Sequence, residues 1–105
     1  MPNIKLSYLY RDSGNYKNFG EIVFDNPSNI PLEIVVDLLM QKLIDGQWFY
    51  AKDYCLPDLH FDKWNEDLDH GFHEFESLEY THDPPNASIS LDGLITLIRK
   101  TNWIY

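Results

Sequence analysis

The sequence predicts an α+β fold: an antiparallel sheet of roughly four to five strands with two helices on one face, in the order β-β-α-β-(β)-β-α. Three observations carry this expectation. Two period-two apolar segments stand near the N-terminus, a strong helical stripe follows them, and a second helical stripe closes the chain. At 105 residues with no repeat and no dividing linker, residues 1–105 read as a single globular domain.

The first segment, "IKLSYLY" (4–10), sets Ile4, Leu6, Tyr8 and Tyr10 against Lys5 and Ser7, which is strand periodicity. "GEIVFDN" (20–26) alternates Ile22 and Phe24 against Glu21 and Asp25 in the same way. Between them "RDSGNYKNFG" is polar, and Gly14-Asn15 offers positive-φ positions, so the two strands form a long-looped hairpin.

Residues 28–46 predict the first helix. Leu32, Val35, Val36, Leu39 and Leu43 make its apolar stripe, with Glu33, Asp37 and Gln41 facing away. Ser28 or Asn29 is the expected cap, Pro31 fits the first turn, and Gly46 supplies a left-handed stop. "QWFYA" (47–51) predicts a third strand with Trp48 and Tyr50 on one face. After Pro57, "DLHF" (58–61) is at most a short edge strand.

"HEFESLEY" (73–80) carries Glu74, Glu76, Leu78 and Tyr80 at alternating positions, and Gly71 favours a strand with a bulge near His73. Pro84-Pro85-Asn86 predicts a loop. Residues 90–100 then predict the second helix. Ser90 is its cap, Leu91, Leu94, Ile95 and Ile98 its stripe, and Arg99 and Lys100 suit the negative C-terminal end.

Three strings, "YLYRDSGNYKNFGEIVFDNP", "PDLHF" and "HEFESLE", resemble a group of small bacterial proteins. These share a Tyr-Arg-Asp…Asn-Tyr-Lys…Gly opening and a His-Glu-Phe segment. The resemblance covers most of the chain and implies no activity, ligand or catalytic residue.

Charge is the most informative bulk property. The net charge is −9, and residues 58–83 hold nine acids (Asp58, Asp62, Glu66, Asp67, Asp69, Glu74, Glu76, Glu79, Asp83) against Lys63. A phosphate backbone is repelled by such a segment, so no direct nucleic-acid binding is expected. No apolar run reaches the roughly 18 residues of a spanning helix, so no membrane contact is expected. The start "MPNIKLSYLY" lacks a signal-peptide pattern, and the lone Cys55 can neither close an internal disulfide nor supply a multi-cysteine metal site. A reducing cytoplasm is the expected location.

The acidic segment supports three kinds of chemistry. As a recognition surface, it interleaves acids with aromatic anchors, the composition of an interface rather than of plain solubilising charge. Asp62, Trp64, Glu66, Asp67, Asp69, Phe72, Glu74, Glu76 and Glu79 would then contact a basic protein partner, as in an inhibitor, immunity or counter-defence protein. As an alternative, His60, His70 and His73 with nearby carboxylates could hold a divalent metal such as zinc, although "HGFHE" is not an established ligand spacing. Catalysis by His73 or Glu74 as a general base lacks any orienting motif, so no enzyme activity and no cofactor are expected. The recognition surface is the preferred expectation.

Overall fold

The computed structural model describes residues 2–11, 14–59 and 72–101. Four strands, β1 (Asn3–Arg11), β2 (Lys17–Phe24), β3 (Trp48–Phe49) and β4 (His73–Thr81), form one antiparallel sheet in the order β2-β1-β4-β3. Two helices, α1 (Leu32–Lys42) and α2 (Leu91–Lys100), complete the expected α+β arrangement.

β1 is central because both of its faces can be buried. Ile4, Leu6, Tyr8 and Tyr10 point to the helices, while Ser7 and Leu9 are buried on the opposite face. The hairpin register runs from Ile4 opposite Phe24 to Arg11 opposite Lys17. Of the two expected turn positions, Asn15 takes the positive φ (66°).

The β1–β4 ladder slips between Ser7 and Tyr8: Ser7 faces Ser77, whereas Tyr8 faces Phe75. Glu76 is therefore the extra residue of a bulge, three positions beyond the expected site at His73. The slip reverses the strand's alternation. His73 and Phe75 join the helix face before it, and Leu78 and Tyr80 join that face after it. Glu74 is thereby turned to the opposite face from Leu78 and Tyr80, with which simple alternation from the sequence grouped it.

α2 forms as its local sequence dictates. The Gly93 N–H donates to Ser90 Oγ at 3.3 Å, and Leu91, Leu94, Ile95 and Ile98 are its buried residues. α1 buries Val35 and Leu39 as expected but starts later than the sequence suggests. Pro31 takes the capping position without a side-chain bond, and Ser28 instead donates to Asp92. The lead-in is braced by buried Asn26, whose Oδ1 accepts the Ile30 N–H and whose Nδ2 donates to the Ile30 carbonyl. Gly46 has φ 70° but serves the turn that bridges Ile44 to Trp48, after α1 has already ended at Lys42.

β3 has only two residues, and Phe49 is its buried one, so the face that Trp48 shares with Tyr50 is the less buried one. A 3₁₀ turn (Ala51–Tyr54) follows and places Tyr54 against Phe49. Asp58 and Leu59 join no strand; His60 and Phe61 of the expected edge strand lie outside the described residues. No helix among the described residues is long and apolar enough to cross a membrane.

Candidate functional site: an anchored acidic stretch

The helix face of the sheet ends in an aromatic cluster. Tyr8, Tyr10 and Phe49 surround the His73 ring at centroid distances of 5.8, 5.4 and 6.2 Å. The bulge at Glu76 gives His73 its inward phase, and the ring is 1% exposed. A buried imidazole needs polar partners. His73 finds one in the segment Pro57-Asp58-Leu59, which lies across this end of the sheet as a strap.

The strap is held to three strands. Tyr8 Oη of β1 donates to the Pro57 carbonyl at 2.6 Å. Asn18 Nδ2 of β2 donates to the Leu59 carbonyl at 3.0 Å, and the Leu59 N–H donates to His73 Nε2 of β4 at 3.0 Å. Gly20 completes the seat: a Cβ there would stand 2.9 Å from Leu59 Cδ1, closer than side chains approach. With an amide donating to it, Nε2 carries the lone pair, which assigns the neutral Nδ1–H tautomer. The Asp58 carboxylate lies 3.4 Å from the same nitrogen and is itself largely exposed. Burial, reinforced by the Asp58 charge, pushes the Tyr8 phenol up to about 12.

Residues 60–71 leave from Leu59, and the chain re-enters the described structure at Phe72, which packs on Tyr50 at 4.8 Å. Both ends of the acidic stretch are therefore fixed to the sheet. Asp62, Trp64, Glu66, Asp67 and Asp69, with His60 and His70, lie outside the described residues.

The remaining expected contact residues separate into distinct environments. Glu74 faces Arg11 across the open side of the sheet in a two-pronged ion pair, with Nε to Oε1 at 2.9 Å and Nη2 to Oε2 at 3.2 Å. Glu79 is held by Lys5 at 2.9 Å, and Glu21 approaches the same ammonium at 3.9 Å. Hydrogen bonding to Glu79 keeps the Lys5 ammonium above the usual lysine value. Glu76, put out of register by the bulge, is exposed. Residues 73–79 thus contribute two neutralised carboxylates and one outlying one.

His73 is placed for a structural task. Coordination through Nε2 would displace the Leu59 amide; among the described residues the ring stands against Tyr8, Tyr10 and Phe49, with the Asp58 carboxylate 3.4 Å from Nε2. Among the described residues no group of three or more His, Cys, Asp or Glu is arranged to hold a metal ion. Sequence reasoning missed the strap's anchors Tyr8, Asn18 and Gly20. Gly20 gave no signal, because it stood at the junction of the polar loop and the expected strand, whereas the structure sets it inside β2. Comparison of the chain with known protein families, with characterised proteins and with solved structures gives no match, so the geometry alone carries the functional argument.

Proposed function

We propose that the chain is a small protein-binding module that engages a basic partner surface through residues 58–83. One observation carries the reading: residues 60–71, with Asp62, Glu66, Asp67 and Asp69 against the single base Lys63, lie between two held points, Leu59 and Phe72, and β4 continues the acidic run. Concentrated charge raises association rates through long-range steering, and fixed ends lower the ordering cost of binding. Trp64 is the aromatic anchor and Asp62, Glu66, Asp67, Asp69 and Glu76 the charged frame. Glu74 and Glu79 balance Arg11 and Lys5 and contribute less. An inhibitor, immunity or counter-defence role suits such a module, because each requires rapid capture of a basic cleft.

The test is affinity capture from lysate with the wild-type chain and with a chain in which Glu66, Asp67, Asp69 and Glu76 are lysine. A specific partner with a basic contact surface, retained by the first and lost by the second, is the expected result. Equal capture by both chains overturns the reading. So does a stoichiometric metal in protein purified without chelator or affinity tag that is lost in a His70→Ala, His73→Ala variant.

A further inference from the structure

β2 is an edge strand whose outer side is only partly occupied by the described residues. At its C-terminal end the Val23 N–H donates to Asn86 Oδ1 at 2.8 Å, and the Val23 carbonyl accepts the Asn86 and Ala87 amides, each at 3.1 Å. Backbone groups alternate in direction along an antiparallel strand. Since Val23 points outward, Glu21, Phe19 and Lys17 do too. Beyond the Asn86 plug, no backbone bond to that outer side occurs among the described residues. Such an edge is a template for another strand.

The sequence of this edge is complementary to itself. Antiparallel pairing about a two-fold axis through Phe19 sets Phe19 against Phe19, and Lys17 of each copy opposite Glu21 of the other. All three positions turn their backbone N–H and C=O outward, so each would bond its counterpart reciprocally. The side chains reach solvent: Phe19 is 58% exposed, and Glu21, whose carboxylate is 3.9 Å from the Lys5 ammonium, is 64% exposed.

The same register has a consequence on the helix face. It brings Tyr16, 73% exposed, opposite Ile22 of the other copy. Ile22 borders an open, mainly apolar pocket of about 340 Å³ lined also by Cys55, Leu56, Pro57, Asn86 and Ala87. An exposed tyrosine thus meets a pocket at the one register that also pairs the charges.

We propose that the outer edge of β2 is a homodimer interface, joining two sheets into one through Lys17–Glu21 of each copy, with Tyr16 of each seated in the pocket beside Ile22 of the other. The Asn86 plug ends the pairing at Val23 and fixes the register. The pairing does not depend on the partner proposed above.

Sedimentation equilibrium across a concentration series, at physiological salt, tests it. The wild-type chain should show a reversible monomer–dimer equilibrium. Lys17→Glu and Glu21→Lys should each weaken it by on the order of tenfold, because symmetry makes each reversal strike two contacts. The double exchange Lys17→Glu, Glu21→Lys should restore it. Overall charge cannot imitate this pattern, since Lys17→Glu makes the chain more acidic and Glu21→Lys less so. In a Cys55→Ala background, Phe19→Cys should oxidise to a covalent dimer, its paired Cα atoms lying about 5.5 Å apart. Lys17→Cys, displaced from its own copy by roughly 14 Å along the strand, should not. A chain that stays monomeric throughout, or a dimer indifferent to the single reversals, overturns the proposal.

Discussion

Replacing His73 by leucine tests the anchor on which the acidic stretch depends. Leucine keeps most of the apolar volume but removes Nε2, the acceptor of the Leu59 N–H at 3.0 Å. Leaving that partly buried amide unmet costs roughly 1–3 kcal/mol. The ring also loses its tilted contacts with Tyr8, Tyr10 and Phe49, which adds about 1 kcal/mol beyond area alone. Urea unfolding should therefore show a loss of roughly 2–4 kcal/mol, out of a total of about 5–15 for a domain of this size. Hydrogen exchange supplies the local readout. The Leu59 amide should lose more protection than the drop in global stability explains. Leu39→Ala is the control: it lowers global stability comparably through α1, so Leu59 protection should fall only in step with it. Unchanged stability in His73→Leu, or a Leu59 amide that tracks global unfolding in both variants, would refute the strap.

Leu39→Ala itself should cost roughly 2–5 kcal/mol and Asp37→Ala well under 1, measured by denaturant unfolding, because only the first side chain enters the core. Gly20→Val should force the Leu59 side chain to turn aside, which shifts of the Leu59 methyl signals in NMR spectra will show. Tyr8 should make stability fall at alkaline pH. Its phenol is neutral in the folded chain up to about 12 but ionises near 10 when unfolded, so its contribution is intact below 10 and lost between these values. Tyr8→Phe should flatten that part of the stability–pH curve. Glu74→Lys should destabilise the fold by setting like charges across the sheet at Arg11, whereas Glu76→Lys should not, as thermal unfolding of the two variants will show.

What the sequence made legible was what local rules decide. Ser90 followed by the Leu91–Leu94–Ile95–Ile98 stripe needs no distant contact to specify α2, and the β1–β2 hairpin follows from clean alternation. Phase was left open where polar markers were missing and was lost where a bulge intervened. In Trp48-Phe49-Tyr50 every residue is aromatic, so only the packing of Phe49 on Tyr8 and Tyr54 selects the inward one. In β4 the slip at Glu76 sends Glu74 to one face and Leu78 to the other, which alternation counted from a single origin cannot reproduce. The cap of α1 failed for a similar reason. Asn26, outside the helix, satisfies Ile30, and Ser28 is drawn to Asp92 from the other helix. The concentration of acids was plain in the sequence, but not that Arg11 and Lys5 neutralise Glu74 and Glu79, because those bases come from β1, distant in sequence.

Association kinetics with the captured partner test the central claim most directly. Rate constants are measured over a range of ionic strength for the wild-type chain, for the Glu66, Asp67, Asp69 and Glu76 to lysine variant, and for Trp64→Ala. The acidic stretch as a steering surface predicts a wild-type association rate that falls as salt shortens the Debye length, and a charge-reversed chain that associates far more slowly with its fold intact. Trp64→Ala should act mainly on dissociation, by on the order of 2 kcal/mol or more. Binding that ignores both salt and the four reversals would contradict the account and leave residues 58–83 as a solvated face.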